Sequence, residues 1–176
     1  IGDKTQLLAF ILAAKFRRPI PITLGILLAT LVNHGFAGAV GSWITTLLGP
    51  ETLRWVLGIS FLAMAGWTLI PDKFDEEDAR LARFGVFGTT LVAFFLAEMG
   101  DKTQVATVAL AAQYQSLFLV VAGTTLGMMI ANVPAVIMGD RIADRMPVKL
   151  VHSIAAAIFA LLGIATLTGM GKSLGF

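Results

Sequence analysis

The chain has 176 residues, 57% of them hydrophobic and only 14% charged, with mean hydropathy +0.84. So little polar surface cannot cover a fold in water, which excludes a soluble globular domain and makes lipid the solvent. Thirteen Lys and Arg against eleven Asp and Glu form no basic patch for nucleic acid, and zero cysteines exclude disulfides, thiolate metal sites and a cysteine nucleophile.

Six apolar segments follow one another. The first ends near Ala14, before Lys15, Arg17, Arg18 and Pro19. It is shorter than a bilayer span, and Ile1 is not an initiator, so the front of this helix is expected to precede Ile1. The second covers about 20–48 and closes at Gly49-Pro50. The third covers about 53–70 and closes at Pro71-Asp72. A charged stretch comes next, including Asp75-Glu76-Glu77-Asp78, which reads as a solvated loop. The fourth segment is about 85–112, with a polar turn at Gln113 to Ser116. The fifth, about 117–139, ends at Asp140-Arg141, and the sixth is about 148–169. Apolar runs of this length predict spanning helices rather than strands.

The chain repeats itself at a shift of 98 residues. Gly2-Asp3-Lys4-Thr5-Gln6 overlays Gly100-Asp101-Lys102-Thr103-Gln104. Gly25 falls on Gly123, Ala37 on Ala135 and Gly41 on Gly139. Three helices per repeat is an odd number, so the second repeat enters the membrane from the opposite side. The expected fold is therefore an all-α membrane protein with six transmembrane helices in two inverted-topology three-helix repeats. Residues 1–71 form the first, 72–83 a charged loop, and 84–176 the second. Nine basic residues (Lys15, Arg17, Arg18, Lys73, Arg80, Arg83, Arg141, Arg145 and Lys149) follow helices 1, 3 and 5, whereas the opposite side carries Arg54 and Lys172. The positive-inside rule puts the 72–83 loop in the cytoplasm and both termini outside, with a bacterial inner membrane as the expected location.

Asp3, Glu98 and Asp101 are the acids inside apolar segments, where an unpaired charge is costly and marks function by default. On a continuous helix Glu98 and Asp101 share a face at i, i+3. There they could share a cation or a proton, and Lys102 at i+4 could pair with Glu98 as a purely structural bridge. Lys4 repeats the acid–lysine pattern. Gln6 and Gln104 offer neutral oxygens, while Thr103, two residues past Asp101, is expected to point elsewhere. Gly2 and Gly100 either loosen the helix so that carbonyls turn inward or serve packing. Asn33, His34 and Asn132 lie mid-segment, His34 and Asn132 at equivalent repeat positions. His34 reads as an interhelical hydrogen bond, and Asn132 equally as that or as an ion ligand. Gly25 and Ala29, with Gly123 and Gly127, form small-residue faces for close helix contact.

The run Leu96-Ala97-Glu98-Met99-Gly100-Asp101-Lys102-Thr103-Gln104 resembles the Glu-x-Gly-Asp-Lys/Arg-Thr/Ser signature of a membrane family of manganese and calcium transporters. That family has Golgi, chloroplast and bacterial members and is treated as cation:proton exchangers. The resemblance spans the whole chain, with one signature per repeat. The first copy here begins at Ile1, so its glutamate is expected just upstream. The resemblance implies metal ligation by Asp3, Glu98 and Asp101. The residues themselves add Gln6, Gln104, Asn132, Lys4 and Lys102 as candidate ion-site or proton-path residues. It implies a secondary transporter, not an enzyme. Such a protein would export a divalent cation, Mn2+ or Ca2+, in exchange for protons, with the metal as substrate and no permanent cofactor. Carboxylate and amide oxygens suit such hard ions. The alternative within transport is an exporter of a small organic cation or amino acid, whose ammonium two acids could hold. An intramembrane metallohydrolase would need histidines beside the acids, and the chain has only His34 and His152. A structural subunit would need no buried acids.

Overall fold

The computed structural model describes residues 4–70, 85–138 and 148–169, and these are helical apart from short turns. Seven helices occur among the described residues: α1 (Lys4–Phe16), α2 (Pro19–Leu47), α3 (Pro50–Thr68), α4 (Gly85–Glu98), α5 (Lys102–Tyr114), α6 (Leu117–Met138) and α7 (Val148–Thr168). Asp3 and the 72–83 loop lie outside the described residues. Prolines start α2 and α3, where the missing N–H costs nothing and φ is already set. Pro134 sits inside α6 without ending it. Two helices, α2 and α6, are long and apolar enough to cross a membrane.

The expected fourth helix is two helices. Gly100 adopts φ +72°, a left-handed conformation that suits glycine, and stops α4 after Glu98. Asp101, with extended backbone, then caps the start of α5. Glu98 and Asp101 therefore do not share one continuous helical face. They flank a tight turn closed by a 3.1 Å bond from Asp101 N to Glu98 O.

The 98-residue period reappears in the elements. Pro19 begins α2, and 98 residues on, Leu117 begins α6. Two equivalent pairs, α2 with α6 and α3 with α7, pack on each other and run antiparallel. Between α2 and α6, His34 meets Thr124 while Gly38, further along α2, meets Val121 and Leu117, earlier on α6. Between α3 and α7, a side chain at Gly58 would run into Leu167, whereas Phe61 stacks on Phe159 with ring centroids 6.4 Å apart. Phe61 and Phe159 are each other's equivalents, since 61 and 159 differ by 98. A residue touches its own counterpart only where a two-fold axis passes. Gly58 and Gly163 sit beside this contact, and a Cβ on Gly163 would lie 2.8 Å from Leu62, so both small residues are needed for the crossing.

The core joins α1, α2, α4 and α6 through Leu8, Leu12, Ile22, Ile26, Phe94 and Ala135. A second cluster holds Leu57 and Phe61 of α3 against Ala109 and Ala112 of α5. Large apolar side chains point outward along the helices, among them Phe36, Trp43, Phe118, Ile130 and Leu161. In water that shell would be untenable, but in lipid it is the expected exterior. Of the expected small-residue faces, Gly25 packs closely on Thr90, whereas Gly123 and Gly127 have nothing within 4 Å of a built Cβ.

Candidate functional site

The break between α4 and α5 creates the candidate site. An interrupted helix leaves N–H and C=O groups without intrahelical partners, and its two halves aim opposite dipole ends at the gap. Glu98 is the last residue of α4 and is 1% exposed. Its Oε1 accepts from Thr30 Oγ1 of α2 at 2.9 Å. Asp101 is 4% exposed, and its Oδ1 lies 3.6 Å from Lys4 Nζ of α1. The two signatures therefore meet, a lysine of the first against the aspartate of the second. Thr103 Oγ1 is 3.4 Å from Asp101 Oδ2, so Thr103 turns toward the carboxylate instead of away. An extended cap residue places the next hydroxyl on the same side as its own side chain, which a continuous helix would not.

Lys102 is no longer one helical turn from Glu98. Its ammonium donates to the carbonyl of Ile70, just past the C-terminus of α3, where peptide dipoles favour a cation. Gln104 bridges the turn and the opposite repeat. Its Oε1 accepts from Gly100 N at 2.7 Å, and its Nε2 donates to Asn33 Oδ1. Asn33 Nδ2 in turn donates to Phe95 O at 3.4 Å. The fixed ends, an N–H at Gly100 and a carbonyl at Phe95, determine which way both amides face.

Gln6, the counterpart of Gln104, donates to Ala131 O at 3.2 Å. Because Ala131 is the counterpart of Asn33, this contact is the 98-residue image of the Gln104–Asn33 contact. His34 is fully buried, with Nδ1 3.0 Å from Thr124 Oγ1, the interhelical bond expected of it. Asn132 is fully buried, and its Nδ2 donates to Met128 O of its own helix, while Oδ1 has no partner.

A cavity of about 300 Å³ lies beside Asp101, Lys102 and Thr103, walled by Thr68, Thr124 and Phe159 among others. Its wall residues Ala106, Leu110, Thr124 and Gly127 are the counterparts of Leu8, Leu12, Ile26 and Ala29, which belong to the core cluster that also holds Phe94 of α4. Among the described residues no three acid or histidine side chains converge as a ready metal cluster. Glu98 and Asp101 are the two buried carboxylates at the turn, with the backbone carbonyls at the end of α4 beside them. Sequence reasoning gave no role to Thr30. Its hydroxyl is one threonine among many in an apolar helix, and only the fold reveals that it faces Glu98. It also passed over Asn33, whose neighbour His34 draws more attention.

Comparison with known proteins agrees with this chemistry. The divalent cation/proton antiporter GDT1 family matches residues 1–76 and 86–173. A "Putative manganese exporter" of Vibrio cholerae serotype O1 is 52% identical over 167 residues, covering 94% of this chain and 83% of that protein. A "GDT1-like protein" of Synechocystis sp. is 29% identical, covering 94% of this chain and 89% of that one. The chloroplastic GDT1-like protein 2 of rice is 26% identical, covering 97% and 58%. No solved structure matches. The chain belongs to the GDT1 family of divalent cation/proton antiporters, which are transporters and not enzymes.

Proposed function

We propose that the chain exports a divalent cation from the cytoplasm, Mn2+ in preference to Ca2+, in exchange for protons. The observation that carries this reading is the approach of Lys4 to Asp101 at 3.6 Å, which joins the two signatures across the repeats. The antiparallel pairing of α2 with α6 and of α3 with α7, and the Phe61–Phe159 self-contact, support two inverted repeats about an axis in the membrane plane. In this arrangement α1 completes the first span and α4 with α5 form the fourth, giving six spans, with the 72–83 loop cytoplasmic and the termini outside.

Glu98 and Asp101 ligate the cation, and Asp3 supplies the counterpart of Asp101 from the first repeat. Gln6, Gln104 and Asn132 provide neutral oxygens near by. Lys4 and Lys102 balance the carboxylates when the site is empty. A metal must find its carboxylates deprotonated, so protons arriving from outside displace it, and the released site returns protonated. The preference for Mn2+ rests on the described name of the Vibrio cholerae relative. The test is metal uptake into proteoliposomes under an imposed pH gradient, with Mn2+, Ca2+ and Mg2+ side by side. Transport of Mn2+ that collapses with the gradient is the expected result. Uptake indifferent to the gradient, or an organic cation transported in its place, overturns the proposal.

A further inference from the structure

The two halves of the site differ at one pair of equivalent positions. In the second repeat the break is closed by a relay. Gly100 N–H donates to Gln104 Oε1, Gln104 Nε2 donates to Asn33 Oδ1, and Asn33 Nδ2 donates to Phe95 O. It begins at the first N–H after Met99 and ends on a carbonyl of the last turn of α4. It passes through a side chain of the opposite repeat on the way. Asn33 is 1% exposed, so water does not substitute for it. Gln104 holds the N–H side of the turn, and Phe95 belongs to the same helical turn as Glu98. Fixing both fixes where Glu98 and Asp101 stand relative to each other. In the first repeat the image of Gln104 is Gln6, but the image of Asn33 is Ala131, which offers Gln6 only its backbone carbonyl. A methyl group cannot pass the bond on.

We propose that Asn33 is a positioning residue for transport: it locks the α4–α5 turn in its ion-binding shape, making Glu98 and Asp101 the preformed half of the site and the first signature the adjustable half. The inference rests on Glu98 and Asp101 being the metal ligands. Preorganised ligands need no reordering when the ion arrives, so the lock acts on affinity more than on maximal rate.

The experiment measures Mn2+ Km and kcat in proteoliposomes, with melting temperature in detergent, for wild type, Asn33→Ala, Gln104→Ala, the double variant and Asp101→Asn. Loss of a group that orients a metal ligand weakens metal affinity by ~10–100-fold. Asn33→Ala should raise Km by that order with kcat nearly kept, and Gln104→Ala should do the same. The double variant should be no worse than either single change, because both break one relay. Should Asn33→Ala not fold, Gln104→Ala and its reciprocal test, Ala131→Asn, carry the question. Adding the missing amide beside Gln6 should lower Km, because it extends the lock to the first half. Unchanged Km in Gln104→Ala, or Km effects that multiply in the double variant, overturns the role of Asn33. If Asp101→Asn itself transports like wild type, the assignment of the metal ligands has failed instead.

Discussion

Replacing Lys4 by methionine separates a transport site from a structural ion pair, because the two readings predict effects of opposite kind. Lys4 Nζ stands 3.6 Å from Asp101 Oδ1, with the lysine side chain 22% and the aspartate 4% exposed. At an effective dielectric of ~20, two unit charges at this separation attract by roughly 4–5 kcal/mol. Partial exposure of the ammonium and its own desolvation reduce the net to about 1–2 kcal/mol. If a dication must displace that ammonium to reach Asp101, Lys4→Met removes a competitor. Metal should then bind about tenfold tighter, since ~1.4 kcal/mol is one decade in Kd. Methionine keeps the length and apolar stem of lysine, so packing of α1 on α6 changes little. The assay is calorimetric titration of Mn2+ into the detergent-solubilised protein, with melting temperature recorded in the absence of metal. If the pair only fastens α1 to α5, the variant strands a buried carboxylate and loses about 3–5 kcal/mol of stability without gain in affinity. A lowered melting temperature with unchanged or weaker Mn2+ binding would refute the competition argument.

Glu98→Gln and Asp101→Asn keep side-chain volume and remove charge, so both should fold and neither should bind Mn2+, as read by the same titration. Wild-type affinity should fall as pH falls, because protons and metal compete for the same carboxylates, and a profile flat over the whole range in which the protein stays folded would exclude proton coupling at these acids. Gly100→Ala meets no steric barrier, since nothing lies within 4 Å of a built Cβ. The left-handed φ alone should cost ~1–2 kcal/mol of stability, and a chemical-denaturation midpoint measures it. Cysteines at Gly49 and Lys149, at the starts of the antiparallel α3 and α7, should label from opposite sides of the membrane, Gly49 from outside. Labelling from one side would end the inverted arrangement.

Much of this was legible in the sequence because lipid imposes simple rules. Apolar length alone located five of the helices to within a few residues. The break at Gly100 was not legible as a break. Apolar residues continue on both sides of it, and glycine in a membrane helix serves packing as readily as interruption. Its consequences were lost with it: an unbroken helix aims Thr103 away from Asp101 and Lys102 toward Glu98, whereas the turn brings Thr103 to Asp101 and sends Lys102 to Ile70. Cross-repeat partners such as Thr30 and Asn33 were invisible for a different reason. Their role depends on the crossing of α2 with α4 and α5, and periodicity within one helix carries no information about which helix lies opposite.

The charges at the centre make sense only when both repeats are counted. An isolated carboxylate among apolar helices is too costly to keep ionised, yet a metal ligand has to be ionised to work. A lysine on the same helix would neutralise its own aspartate permanently, leaving nothing for a dication. Here the ammonium facing Asp101 comes from the opposite repeat, on a side chain that stays partly exposed. If Glu98 and Asp101 ligate the metal, these charges nearly cancel before it arrives, and a dication takes the ammonium's place. On the proposed reading, movement of one repeat against the other carries Lys4 toward or away from Asp101. The same motion that changes which side the site faces would then also change its affinity for the metal, as an exchanger requires: tight on the side of loading, weak on the side of release.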